Sequence, residues 1–457
     1  MQLPSIMTIV VDNGEDSRYR SKPLMTIVIE RVSVSQQVRR RQDRRAEVVL
    51  VSGWSGPTAT TARSLLEEGT ILVHHDLRDV AQGVVHRTVI NSDGRENVSI
   101  LELVNGCVSC TVRADLLPLL RKLAVRSQVR RIVVELDRTL EPEAVCWAIE
   151  NVVVSGVVGQ IDGPASRDVQ VAAVLTCIDA ESWLSDATGD DTLAGRVAEC
   201  GNGPGDDRTV AQVVVGQVEY ADALVVSGNA ADPLAAAKLT AVLARLAPSV
   251  PMLWTDGARL DVRGLLAVVP ANARHGAFAD PHGPLLRGEP PLTYENGVAI
   301  VEFSAARPFH PQRLHEAIDT LLDGVVTARG RIWVATQPEN ALWLESAGGG
   351  LRVGHAGKWL VSMTQPEREA ESPERRVMAA LRWSDRFGDR DNSLIALVHD
   401  ADPSEIDRAL QWALVTDDEL LEQAQWRHWP DPFGDWHEEP CGTSESPFVD
   451  SEREDQA

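Results

Sequence analysis

Glu47-Val48-Val49-Leu50-Val51-Ser52-Gly53-Trp54-Ser55-Gly56-Pro57-Thr58-Ala59-Thr60-Thr61 decides the fold class. Its first six residues read as a buried strand. A glycine-led turn rich in Ser and Thr follows, and then a helix running through Leu66. Strand, glycine turn and helix together make the scaffold of a phosphate-binding loop. Such a loop needs Gly-x-x-x-x-Gly-Lys-Ser/Thr, in which glycines let backbone amides close on phosphate, the Lys neutralises it and the hydroxyl holds magnesium. Gly53 and Gly56 are present here, and so are the hydroxyls of Thr60 and Thr61. The second loop glycine is Thr58, the Lys position is Ala59, and Pro57 removes an amide donor. A charge-assisted contact of the missing kind contributes roughly 1.5–3 kcal/mol. The loop is therefore expected to be a degenerate nucleotide site, with GTP unlikely as a ligand.

Outward from this stretch the α/β pattern continues. Strands are expected over 70–74, 98–103, 131–136, 169–178 and 223–227. Helices are expected over 115–125, with Leu116, Leu119, Leu120 and Leu123 on one stripe, and over 141–151, with Pro142 in its first turn. Alternating strands and helices imply a parallel sheet covered on both faces. Residues 189–207, rich in Gly, Asp and Thr, read as a surface loop. Four prolines and three glycines within 275–291 mark a boundary. Beyond it, strands at 298–303, 331–335, 341–346 and 393–398 and helices at 311–322 and 403–414 form a smaller α+β domain. The expected organisation is a loose basic extension over 1–45, an α/β domain over 46–274, a linker over 275–297, an α+β domain over 298–440 and an acidic tail over 441–457.

Composition sets outer limits. The chain has 457 residues, 44% hydrophobic and 24% charged, which suits two or three globular domains. No run of ~20 apolar residues suggests a membrane span, and no signal peptide is read. Six cysteines, scattered except for one pair, do not form a disulfide framework, so a cytoplasmic protein with reduced thiols is expected. A net charge of −23 argues against a broad basic face for nucleic acid. The local cluster Arg39, Arg40, Arg41, Arg44 and Arg45 is either a solvated tail or a contact to RNA phosphate.

The cysteine pair lies in Asn105-Gly106-Cys107-Val108-Ser109-Cys110-Thr111-Val112-Arg113-Ala114-Asp115-Leu116. Cys-x-x-Cys in a tight turn brings two sulfurs to one centre, as a metal clip or a redox dithiol does. Two small residues packed under a turn are the bland alternative. His74 and His75 alternate at the end of a strand, so at most one of them faces the Cys turn, and His75 is the candidate. Cys107, Cys110 and His75 then form a candidate site for reversible zinc. Cys146 and Cys177 sit in apolar runs and read as core. Cys441 with His437 is a weak second metal candidate.

These motifs resemble the CobW-type metal-associated GTPases across residues 47–440. The Cys turn is similar to that family's Gly-Cys-x-Cys-Cys-Thr-x-Arg-x-Asp-Leu signature, with Ser109 replacing the middle Cys. Arg307 to Leu314, Arg329 to Trp333, Phe387 to Arg390 and Asp431 to Trp436 resemble words of its C-terminal domain. The resemblance implies a P-loop-GTPase-like α/β domain followed by a CobW C-terminal domain. It also places His75 near the family's metal-binding acidic position. Departures accumulate at the nucleotide elements. Ala59 stands for the Lys and Arg138 for a Gly near Glu135, while Ser227-Gly228-Asn229-Ala230 stands for the guanine-reading Asn-Lys-x-Asp. The closest likeness is to a degenerate actinobacterial branch associated with zinc limitation. That likeness implies a non-enzymatic, zinc-responsive adaptor that recruits a hibernation factor to the ribosome, with a possible rRNA contact through the Arg cluster. The rival expectation is a GTP-dependent zinc metallochaperone.

Overall fold

The computed structural model describes residues 45–102, 108–196, 207–230, 232–256, 260–278, 280–286 and 288–434. Its first part runs β1 (Ala46–Ser52), α1 (Thr58–Ser64), β2 (Thr70–Asp76), β3 (Val84–Asn91), β4 (Glu96–Glu102), α2 (Val108–Ala124), β5 (Arg131–Glu135), α3 (Pro142–Asn151), β6 (Val169–Asp179), α4 (Trp183–Thr188), α5 (Leu193–Arg196), α6 (Val210–Glu219), β7 (Ala223–Ser227), α7 (Pro233–Leu246), β8 (Met252–Thr255) and α8 (Val262–Ala267). The second part runs β9 (Val298–Ala305), α9 (Pro311–Ile318), β10 (Val325–Ile332), β11 (Asn340–Ala347), β12 (Gly350–Lys358), α10 (Gln365–Ala370), α11 (Pro373–Arg382), β13 (Asn392–His399), α12 (Pro403–Ala413) and α13 (Asp417–Leu421).

The first sheet has the order β4-β3-β2-β5-β1-β6-β7-β8. From β2 to β8 it is parallel. β2, β3 and β4 form an antiparallel flap at one side. The P-loop-GTPase-like domain is thus present with a mixed sheet. The central strands are apolar on both faces because helices cover both: Val48, Leu50, Val134 and Val174 look into one layer, and Val49, Val51, Val133 and Leu175 into the other. The second sheet, β12-β11-β10-β13-β9, is wholly antiparallel. Its helices α9 and α12 cover one face through Leu314, Ile318, Ile406 and Leu410.

α6 joins the two sheets. Its sequence VAQVVVGQVE is apolar nearly all round and is buried accordingly. Thr209 caps it by a reciprocal capping box with Gln212. Val213, Val214 and Val218 share one core with Leu239 and Val242 of α7 and with Val298, Val326, Ala347 and Leu397 of the second sheet. Residues 45 onward therefore behave as one compact unit. At its C-terminal end α6 presents Glu219 to Arg329 of β10 at 2.7 Å. Glu345 lies beside this pair; burial, then the nearby Glu219, pushes its carboxyl up to about 7.

The segment expected as a linker is packed. The carboxylate of Asp222 accepts the amides of Val174 (2.9 Å) and His275 (3.0 Å). Arg331 of β10, fully buried, donates to Pro281 O, and His282 bonds Ala356 O. The loop expected over 189–207 holds α5, and the Gly349 amide docks on Gly189 O at 3.0 Å. The strand expected at 331–335 lies earlier, at Val325–Ile332, because Val325, Val326 and Ala328 fill the core.

Glu345 gives the interface a pH dependence. Its carboxyl is raised from 4.5 to about 7, so the folded state binds more protons between those values. Stability from this group is complete below the unfolded value and is lost as pH rises through about 7. Glu345 keeps part of its surface exposed, which trims the effect to about 1–2 kcal/mol. Glu345→Gln is expected to raise the melting temperature at pH 8 and leave it nearly unchanged at pH 5, as read by thermal melts at both pH values.

Candidate metal and nucleotide sites

The nucleotide loop connects β1 to α1. Gly53 is required by close approach, since a Cβ there would meet Cys177 O at 2.5 Å. Gly56 has φ of 119°, a conformation that favours glycine. Two amides of the segment are bonded internally. The Thr58 amide donates to Gly56 O at 3.0 Å, the Thr61 amide donates to Pro57 O at 2.8 Å, and Pro57 has none. Trp54 is buried and packs with Ile178 and Trp183, and the Arg138 guanidinium lies 5.0 Å from its ring centroid. Thr61 is also buried, with its hydroxyl 3.4 Å from the Cys177 thiol. Thr60 and Ala59 are exposed on a helix of only seven residues. The hydroxyls of the expected degenerate loop thus diverge, one to the core and one to solvent.

The base-reading segment follows β7. Ser227 donates to Ile178 O at 3.2 Å, Gly228 has φ of 79°, and Asn229 is exposed. Glu135, the last residue of β5, lies with its Oε2 3.8 Å from His74 Nδ1, and its backbone carbonyl faces the same nitrogen at 3.3 Å. Burial raises the Glu135 carboxyl above its ordinary value.

His74 and His75 do diverge. His75 is buried on the side of α2, where its Nε2 is 2.9 Å from Asp115 Oδ2. Asp115 Oδ1 accepts from Arg87 of β3, and Arg87 Nη2 donates to Ser99 Oγ of β4 at 2.9 Å. One carboxylate therefore ties α2 to two strands. α2 also carries Cys110, so His75 faces the helix that begins at the Cys turn. Cys107 lies outside the described residues, and of Cys110 only its place in α2 is described. Among the described residues, no three His, Cys, Asp or Glu side chains converge as a metal site. A carboxylate accepting one imidazole N–H orients the ring and makes its other nitrogen more basic, the usual support of a metal-bound histidine. Asp115 was visible within the motif, but its partners were not. Arg87 lies on β3, a half-exposed strand whose mixed HRT segment hid it from pattern reading.

Of the Arg cluster, Arg39, Arg40, Arg41 and Arg44 lie outside the described residues. Arg45 is exposed and donates to Ser166 O at 3.0 Å. Cys441 and His437 also lie outside. Cys146 and Cys177 are buried thiols, pushed up to about 12 mainly by burial, and therefore unreactive core residues. In the second part of the chain, Trp333, Trp359 and Trp426 form a buried cluster and His310 stacks on Trp429 at 4.5 Å, so these residues serve packing.

Comparison with known proteins adds the lineage. Residues 298–414 match the model of the cobalamin synthesis protein cobW C-terminal domain, and residues 77–253 match that of the CobW/HypB/UreG nucleotide-binding domain. A Mycobacterium tuberculosis protein named zinc chaperone is 47% identical over 397 residues, covering 87% of this chain and 95% of its own. The chain belongs to the CobW family. The zinc-regulated GTPase metalloprotein activator 1 of Dictyostelium discoideum is 24% identical over 352 residues, covering 73% of this chain and 70% of its own. The Zn(II)-bound YjiA GTPase of E. coli aligns with a TM-score of 0.35 and 16% identity, covering 81% of this chain and all of that one. The match to the nucleotide-binding model begins at residue 77, downstream of the loop over 53–61. No helix among the described residues is long and apolar enough to cross a membrane.

Restoring the missing charge alone should not rebuild the nucleotide site, because two loop amides are absent or bonded internally. Calorimetric titration with GTP and magnesium is expected to show no saturable binding at micromolar nucleotide for the parent or for Ala59→Lys. Binding by A59K would show that the loop reopens readily.

Proposed function

We propose that this protein handles zinc as a metallochaperone-class member of the CobW family, with Cys107, Cys110 and His75 holding the ion. The observation that carries the reading is the His75–Asp115 hydrogen bond. It fixes a buried imidazole against the helix that starts at the Cys turn. The names of the relatives, zinc chaperone and zinc-regulated GTPase metalloprotein activator, support zinc as the cargo. They replace the ribosome-hibernation adaptor as the leading reading, since neither name concerns the ribosome. Two thiolates and one imidazole suit zinc, and Ser109 in place of a third thiol leaves the ion easier to release. Binding requires deprotonated thiols, so zinc uptake releases protons and weakens as pH falls.

GTP coupling is the part of the rival expectation that the loop does not favour. With Ala59 for Lys, Pro57, and the Thr58 amide bonded to Gly56, zinc transfer would run without nucleotide hydrolysis. The same closed loop is the observation that keeps an adaptor reading as a second proposal, with the ribosome and a hibernation factor as partners. Co-sedimentation of the protein with ribosomes from zinc-starved cells supports that second reading; its absence removes it.

Competition with a chromophoric chelator tests the zinc site. The double variant Cys107→Ala, Cys110→Ala is expected to lose zinc binding and to keep the parent's circular dichroism. Asp115→Asn should weaken zinc by roughly 10–100-fold through the loosened imidazole. Unchanged affinity in the double variant would place the zinc elsewhere.

A further inference from the structure

We propose that the outer edge of β4 is a docking site for an extended strand of a partner protein, apolar at alternate positions and basic at both ends. The inference goes beyond the zinc reading and does not depend on it. β4 stands at the end of the first sheet and pairs with β3 alone among the described strands. No described residue pairs with its other edge, which among the described residues therefore presents open backbone donors and acceptors. The β3–β4 register runs uninterrupted from Glu96 to Glu102, and the strand contains no Pro, Lys or bulge. Pro, Lys and bulges are devices that blunt an edge, and β4 keeps only two charged residues, Glu96 and Glu102, one at each end.

Side-chain alternation gives the edge two characters. Ser99 and Leu101 point inward, Ser99 to Arg87 and Leu101 to the core. Glu96, Val98, Ile100 and Glu102 share the other face, with Val98 59% and Ile100 67% exposed. Two β-branched apolar residues framed by carboxylates call for a partner strand with apolar residues between and Lys or Arg at the ends. A second copy is a poor occupant. Two-fold pairing over the whole strand, centred on Ser99, sets Glu96 opposite Glu102 twice, and like charges directly opposite repel. Glu96 already bridges Arg63 at 3.0 Å, so a basic end there would extend an ion pair rather than create one.

The test uses the full chain and a synthetic Lys-Thr-Val-Thr-Val-Thr-Lys peptide, whose Lys and Val side chains share one face, with a Glu-ended version as control. Fluorescence anisotropy at low salt should show binding of the Lys-ended peptide, with the Glu-ended one at least tenfold weaker. Hydrogen exchange should slow at β4 amides that do not pair with β3. Val98→Lys with Ile100→Lys should abolish both signals; Val98→Thr with Ile100→Thr, which keeps strand propensity, should weaken binding several-fold. The proposal is overturned if no β4 amide gains protection at millimolar peptide, or if the Glu-ended peptide binds as well. Sedimentation showing a dimer that Ile100→Lys disperses would overturn it in favour of self-pairing.

Discussion

Burial of one helix on every side is the constraint from which the rest of the arrangement follows. α6 has no polar face to give to water, so it must lie between two apolar layers, and the two sheets supply them. Its few polar groups then set orientation. Gln217 donates to the carbonyls of Arg138 and Leu140 at 3.0 and 3.1 Å, and Glu219 takes Arg329. A rotation of α6 would strand these groups in the core, where an unpaired polar group costs about 1–3 kcal/mol. Through Gln217, α6 also holds the segment after β5, and with it the position of Arg138 over Trp54.

The loop between β1 and α1 turns Trp54 and Thr61 toward the core and leaves Thr60 to solvent. Trp54 fills core space, Thr61 faces Cys177, and the Thr58 amide is spent on the loop's own carbonyl. Each of these contacts holds the loop against the core beside β1 and β6. The two sites share little. His75, Asp115 and Arg87 sit on the α2 side of the antiparallel flap, linked by hydrogen bonds that the loop does not touch.

Much of the first sheet was legible because its strands are continuous apolar runs between glycine or polar turns; β1, β5, β6 and β7 needed no tertiary context. β3 and β8 escaped. β3 is half-exposed and reads VVHRTVIN, in which Arg87 faces inward only because Asp115 neutralises it. β8, MLWT, is a four-residue edge strand too short for periodicity to register. Proline and glycine density suggested a free linker over 275–297, but those residues are held by side chains far away in sequence, Asp222, Tyr220 and Arg331. Pattern reading sees local composition and not such partners. In the candidate metal site, strand alternation correctly separated His74 from His75, whereas the carboxylate that orients His75 depended on the approach of α2.

Asp115 grips β2 with one oxygen and β3 with the other, and this bears on exchange kinetics. An imidazole already locked in place loses little freedom when a metal arrives, so it favours capture. It also cannot swing aside to let the metal go. For zinc held as proposed, departure would then have to begin at the thiolates, by protonation or by attack of an incoming ligand. The histidine would be the last bond to break, and the speed of hand-over would be set by the two thiolates rather than by the strength of the whole site.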